Sequence, residues 1–183
     1  MRPFILVGIE NTERRRDMTG PTTNPEDKKI APRVGGSAAF RQFIRTELMP
    51  AIKARYRTTS ETAIVGESLA GLFVVETLMR EPDMFDTYIA FDPSLWWNNH
   101  KLLADADSLL RTNLKKPKTL FFASSDEPEL VRNSQQLDSL LKAGVFKNLK
   151  WTYIPLPHET HGTIYHPAAL QAFRQLFKPV TAR

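Results

Sequence analysis

Ile64-Val65-Gly66-Glu67-Ser68-Leu69-Ala70-Gly71 joins a β-branched apolar run to a helical stripe, and its reading decides the fold. Residues 62–65 read as a strand, and residues 69–79 read as a helix stopped by Pro82. A serine on so sharp a strand-to-helix turn projects its hydroxyl beyond the end of a sheet. Small residues two before and two after it let strand and helix approach closely. Gly66 and Ala70 fill those places, one methyl group away from the strict Gly-x-Ser-x-Gly pattern.

The alternation extends outward in both directions. Apolar runs at residues 4–9, 87–91, 119–123 and 149–154 are rich in β-branched and aromatic residues and nearly continuous, as strands buried on both faces should be. The last alternates more, with Trp151 and Tyr153 against Lys150 and Thr152, which places it nearer an edge. Between the runs lie helical stripes. Phe40, Phe43, Ile44, Leu48 and Ile52 follow Ser37 with a kink expected at Pro50. A less regular helix is expected over residues 101–110. Pro128 opens another that Gly144 ends, and Pro167 opens the last, with Leu170, Phe173 and Phe177 inward. Strands alternating with helices predict an α/β fold, a mostly parallel sheet flanked by helices on both faces. Residues 1–183 are expected to form a single domain. The exception to compactness is a long polar loop over residues 11–36.

Composition excludes several classes. With no Cys among 183 residues, disulfide frameworks, thiolate zinc sites and thiol nucleophiles are ruled out. The net charge of +5 is scattered apart from Arg14-Arg15-Arg16, and no basic-aromatic interleaving accompanies it, so no nucleic-acid partner is expected. No apolar run reaches the roughly 18–20 residues of a membrane span, and residues 1–8 lack a cleavage site of the Ala-x-Ala kind. A cytoplasmic protein with no membrane partner is the expectation for the chain as given, subject to an export signal upstream.

The groups that could serve Ser68 arrive in the order Ser, acid, His. Ser124-Ser125-Asp126-Glu127-Pro128-Glu129 follows the run at 119–123, and Pro157-His158-Glu159-Thr160-His161-Gly162 follows that at 149–154. The C-terminal ends of parallel strands line one crevice. A serine hydroxyl needs a base to take its proton, His161 has the acidity for it, and a carboxylate behind the ring fixes its tautomer. Asp126, Glu127 and Glu129 also suit the positive end of a following helix, so their role stays open at this point. The N–H of Leu69, directly after the serine, is the expected oxyanion donor. A metal site at His158, His161 and His166 is disfavoured, because His158 and His161 are one residue short of the His-Glu-x-x-His spacing. His166 reads as a helix-entry residue.

Four stretches resemble the α/β-hydrolases known as the putative esterase family, of the esterase D and enterochelin-esterase-like type. They are Val7-Gly8-Ile9-Glu10-Asn11-Thr12-Glu13-Arg14-Arg15-Arg16-Asp17-Met18-Thr19, Gly66-Glu67-Ser68-Leu69-Ala70-Gly71, Pro93-Ser94-Leu95-Trp96-Trp97 and Glu159-Thr160-His161-Gly162. Members usually carry His at the position of Glu67 and Gly at that of Ala70. The resemblance implies a serine esterase of small-molecule esters working through an acyl-enzyme without cofactor or metal. By it Ser68 is the nucleophile, His161 the base, and Glu127 the acid, with Asp126 second. It also implies that Trp96 and Trp97 border the substrate pocket, although either one also reads as core packing. An arginine of the 14–16 cluster would meet an anionic substrate, with the others on a solvated face.

The resemblance also implies strands ahead of the one ending at Ile9, so the fold expected here is an N-terminally truncated α/β-hydrolase. One of those strands would lie between the strand ending at Ile9 and the strand leading to Ser68, and the loop after it would supply a second oxyanion donor. Loss of one such donor costs on the order of 100- to 1000-fold in rate. The rival reading is therefore a weakly active or inactive hydrolase-like domain that binds a partner, or a second copy of itself, through an open sheet edge.

Overall fold

A computed structural model describes residues 1–11 and 13–179; Thr12, one residue of the first motif, lies outside the described residues. Three short helices open the chain, α1 (Arg14–Asp17), α2 (Pro25–Lys29) and α3 (Ser37–Phe43), followed by α4 (Met49–Arg55). The core alternates strictly: β1 (Ala63–Glu67), α5 (Leu69–Arg80), β2 (Thr87–Phe91), α6 (Trp97–Asn113), β3 (Lys118–Ser124), α7 (Pro128–Gly144), β4 (Leu149–Pro155) and α8 (Tyr165–Leu176).

The strands form one sheet in the order β1-β2-β3-β4, each pair parallel. Each of α5, α6 and α7 advances the chain by one strand in the same direction. Right-handed crossovers therefore stack all three on one face. Tyr88, Ala90, Leu120 and Phe122 point to that face and join a core with Leu72, Val75, Leu103 and Leu137. The alternate residues Ile89, Phe91, Phe121 and Ala123 meet Ile164, Ala168, Ala169 and Ala172, so α8 covers the opposite face. Among the described residues no helix is long and apolar enough to cross a membrane.

Three expectations are corrected. Residues 4–9 form no strand: Arg2 N–H donates to the Phe177 carbonyl at 2.8 Å, and Phe4 packs on Phe173 and Phe177. An apolar run becomes a strand only where a neighbour in register takes up its backbone donors and acceptors, and among the described residues none does. The kink expected at Pro50 spreads over a π-helical turn at Ile44–Leu48, because proline offers no N–H to the preceding turn. In α8, which begins two residues before Pro167, the buried stripe is Ala168, Ala169 and Ala172, while Leu170 is exposed. Small side chains are what allow this helix close to the aromatic face of β2 and β3. The edge placement of the last strand holds, since β4 ends the sheet.

Candidate active site

Ser68 stands between β1 and α5 with φ 61° and ψ −122°, a left-handed conformation that a non-glycine residue adopts only under constraint. The constraint is visible. Its N–H donates to the Phe91 carbonyl at 3.0 Å, and its own carbonyl accepts from the Leu72 N–H at 2.9 Å and the Ser94 N–H at 3.1 Å. Gly66 and Ala70 work as the sequence suggests, and Gly71 is closely held too. A Cβ at Gly66 would lie 2.5 Å from the Ala70 carbonyl oxygen, and one at Gly71 would lie 2.9 Å from that of Phe91. Leu69 opens α5, where backbone N–H groups have no intrahelical acceptor and the helix end is positive.

A second tight turn follows β2. Asp92 has φ 42°, is fully buried, and donates its N–H to the Ala123 carbonyl at 2.8 Å. One carboxylate oxygen, Oδ1, accepts the Ser125 N–H at 2.7 Å. The other, Oδ2, lies 2.9 Å from His161 Nδ1. A carboxylate only accepts, so Nδ1 carries a hydrogen, and in the neutral ring Nε2 keeps its lone pair. Two residues on, Ser94 is buried with its Oγ 3.5 Å from Ser68 Oγ.

His161 is held by the loop after β4. Leu156 N–H donates to the Ser124 carbonyl at 2.8 Å, and Asp126 N–H donates to that of Glu159 at 2.9 Å, tying this loop to the end of β3. Thr160 and Thr163 close a turn around the histidine, and Ile164 is buried beneath it. The imidazole remains almost half exposed while its carboxylate partner is sealed from solvent.

The structure thus brings Asp92 to His161, and does not bring Glu127 or Asp126 there. Both of those are exposed; Glu127 precedes α7 and donates its N–H to Ser125 Oγ at 3.3 Å. Asp92 escaped the sequence reading, although its signal was available: it too follows a predicted strand, at the same end of the sheet. Trp97 is buried, with its indole N–H on the Gly20 carbonyl at 2.8 Å, so it packs in the core. Trp96 is half-buried and lines a cavity of about 450 Å³ with Asn24, Ile30, Asn99 and His100. The three residues that follow Trp97, Asn98 to His100, are left-handed, which shapes that wall. His158 and His166 are exposed.

Arg14 reaches the nucleophile turn, donating to the Glu67 carbonyl at 3.2 Å, whereas Arg15 donates to the Ile30 carbonyl and Arg16 pairs with Asp17 and Glu13. Burial pushes the Glu67 carboxyl above the usual range, and Asp92 adds to this, while His161, Arg14 and His166 pull the other way. A carboxyl that resists ionisation therefore sits beside Ser68.

Residues 1–173 match the family described as Putative esterase. The ferri-bacillibactin esterase BesA of Bacillus subtilis is 35% identical over 155 residues, 78% of this chain and 48% of that protein. A siderophore triacetylfusarinine C esterase of Aspergillus fumigatus is 38% identical over 114 residues, 60% of this chain and 37% of that protein. The chain thus spans half or less of the length of these curated relatives. Among solved structures, an IroE-like serine hydrolase from Shewanella oneidensis superposes with a TM-score of 0.82 at 29% identity, covering 93% of this chain and 58% of that one. The BES protein of Bacillus cereus gives a TM-score of 0.80 at 24% identity, covering 93% and 67%, and shares the fold.

Proposed function

Because the chain belongs to the Putative esterase family, we propose that it hydrolyses carboxylic esters through Ser68, His161 and Asp92. The observation that carries this reading is the 2.9 Å contact between His161 Nδ1 and the buried Asp92 carboxylate, at the strand ends that also carry Ser68. Ser68 Oγ attacks the ester carbonyl carbon as His161 Nε2 takes its proton. The Leu69 N–H donates to the oxyanion, and collapse expels the alcohol, protonated by His161. Water then enters by the same route and releases the acid from Ser68. Asp92 holds the ring in the tautomer this needs and stabilises the imidazolium. The chemistry calls for no metal or cofactor. The names of the relatives point to siderophore esters as the substrate class.

Labelling with a fluorophosphonate, followed by peptide mass spectrometry, tests the reading. Label is expected on Ser68 and lost in Ser68→Ala; a folded protein that takes no label at Ser68 overturns it.

A second reading concerns assembly. The outer side of β1 has no strand partner among the described residues, and Phe4, Ile5, Leu6, Val7 and Ile9 are exposed. An unpaired strand is a template for another, and the same strand of a second copy, turned about a two-fold axis, offers a matching row of donors and acceptors. We propose that a second copy covers this edge. Light scattering after size exclusion should give a dimer; a monomer at every concentration overturns this.

A further inference from the structure

Asp92, Pro93 and Ser94 form one turn that serves two members of the site. Asp92 reaches His161, and Ser94 reaches Ser68, with 3.5 Å between the two hydroxyl oxygens. Ser94 is only 2% exposed, its N–H is committed to the Ser68 carbonyl, and its carbonyl accepts from the Trp97 N–H. Among the described residues, its hydroxyl has one hydrogen-bond partner, Ser68 Oγ. In the hydrolytic cycle the Ser68 proton is directed at His161 Nε2. Either hydroxyl can donate in the resting contact; once the Ser68 proton passes to His161, only Ser94 can.

Building on the esterase reading above, we propose that Ser94 is a further catalytic residue, whose hydroxyl stabilises the charge on Ser68 Oγ as its bond to the acyl carbon forms in acylation and breaks in deacylation. At 3.5 Å the resting contact lies at the outer limit of a hydrogen bond, so it is weak in the ground state. In deacylation, water adds to the acyl carbon and gives its proton to His161. The tetrahedral intermediate then breaks its bond to Ser68 Oγ, the electron pair passes to that oxygen, and His161 returns the proton to it. As charge gathers on Oγ, the Ser94 O–H bond to it strengthens and shortens toward the roughly 2.5–2.7 Å of a charge-assisted contact. An interaction weak in the ground state and strong in the transition state accelerates the step in which it forms. Burial adds to this, because no bulk water competes for the hydroxyl.

The experiment is stopped-flow hydrolysis of p-nitrophenyl acetate by the full chain and by Ser94→Ala, with circular dichroism and thermal melting as checks on folding. Acylation, in which Ser68 Oγ attacks, should slow by roughly ten- to a hundredfold. The burst of p-nitrophenolate would then slow by that factor, and kcat/KM would fall with it. Ser94→Cys, which keeps the volume with a weaker donor, should fall between the two, and it carries the test if the alanine variant does not fold. A burst rate and kcat/KM within about threefold of wild type overturn the proposal. Failure of wild-type protein to label at Ser68 overturns the esterase reading itself, so the two failures are distinguishable.

Discussion

The Nδ1 of His161 and the Oδ2 of Asp92 lie 2.9 Å apart, across 69 residues of sequence, with the carboxylate wholly buried and the imidazole partly open. The other oxygen of Asp92 is held by the Ser125 N–H. The pair therefore has one geometry, and it decides which carboxylate serves the histidine.

Asp92→Asn should lower kcat/KM for an ester on the order of 10³- to 10⁴-fold with little change in melting temperature, because the amide permits the wrong imidazole tautomer. Glu127→Gln should leave the rate within about threefold, since its exposed side chain precedes α7 away from the ring. Steady-state kinetics on both variants reads the difference. A larger loss for Glu127→Gln would transfer the role to Glu127.

Gly66→Ala should both destabilise the protein and disable the site. Its new methyl would lie 2.5 Å from the Ala70 carbonyl oxygen and 2.6 Å from its carbon, atoms of backbone that move only if β1 and α5 part. About 1–3 kcal/mol of stability should be lost, and a shift of Ser68 by about an ångström should cost on the order of 100-fold in rate. Urea unfolding and ester kinetics give the two readouts. Wild-type stability in this variant would refute the close approach.

Glu67 makes stability depend on pH in a predictable direction. Burial raises its carboxyl above the ordinary value, more than His161 and Arg14 lower it, so the folded state binds this proton more tightly than the unfolded chain. Its contribution is then greatest below the ordinary glutamate value and declines as pH rises through the raised one. Glu67→Gln should flatten that part of the profile, measured as urea midpoints between about pH 4 and pH 7. A variant that instead steepens the decline would reverse the sign assigned here.

Val145→Gly should stabilise the chain. Val145 follows α7 at φ 48°, where a β-branched side chain is strained, and it is 73% exposed, so little burial is lost with it. Relief of about 1–2 kcal/mol of strain, less the entropy glycine brings to the unfolded chain, leaves a gain of about 0.5–1 kcal/mol. Thermal melting measures it, and an unchanged or lower midpoint would refute it.

Much of this molecule is legible in its residues. The turn at Ser68 announces itself through Gly66 and Ala70, because close packing of a strand and helix admits only small side chains there. Residues 87–91 and 119–123 are strands because their hydrophobicity suits a sheet buried on both faces, and 149–154 is one whose alternation suits an edge. His161 is marked as the base candidate by its place after the last strand. These are local properties, carried by composition and spacing.

Other features depend on what stands next to what. Residues 4–9 have the composition of a strand yet lack a partner in register, and hydrogen bonding across a sheet is a property of two segments. Asp92, Asp126 and Glu127 all follow strands at one end of the sheet, and no pattern in the chain separates them. What separates them is that β2 lies between β1 and β3, so its terminal turn reaches Ser68 on one side and Ser125 on the other, with His161 against the carboxylate. The sequence by itself determined the fold class and the nucleophile candidate; which carboxylate meets the histidine was decided by the order of the strands, because a hydrogen bond of 2.9 Å is set by distance in space.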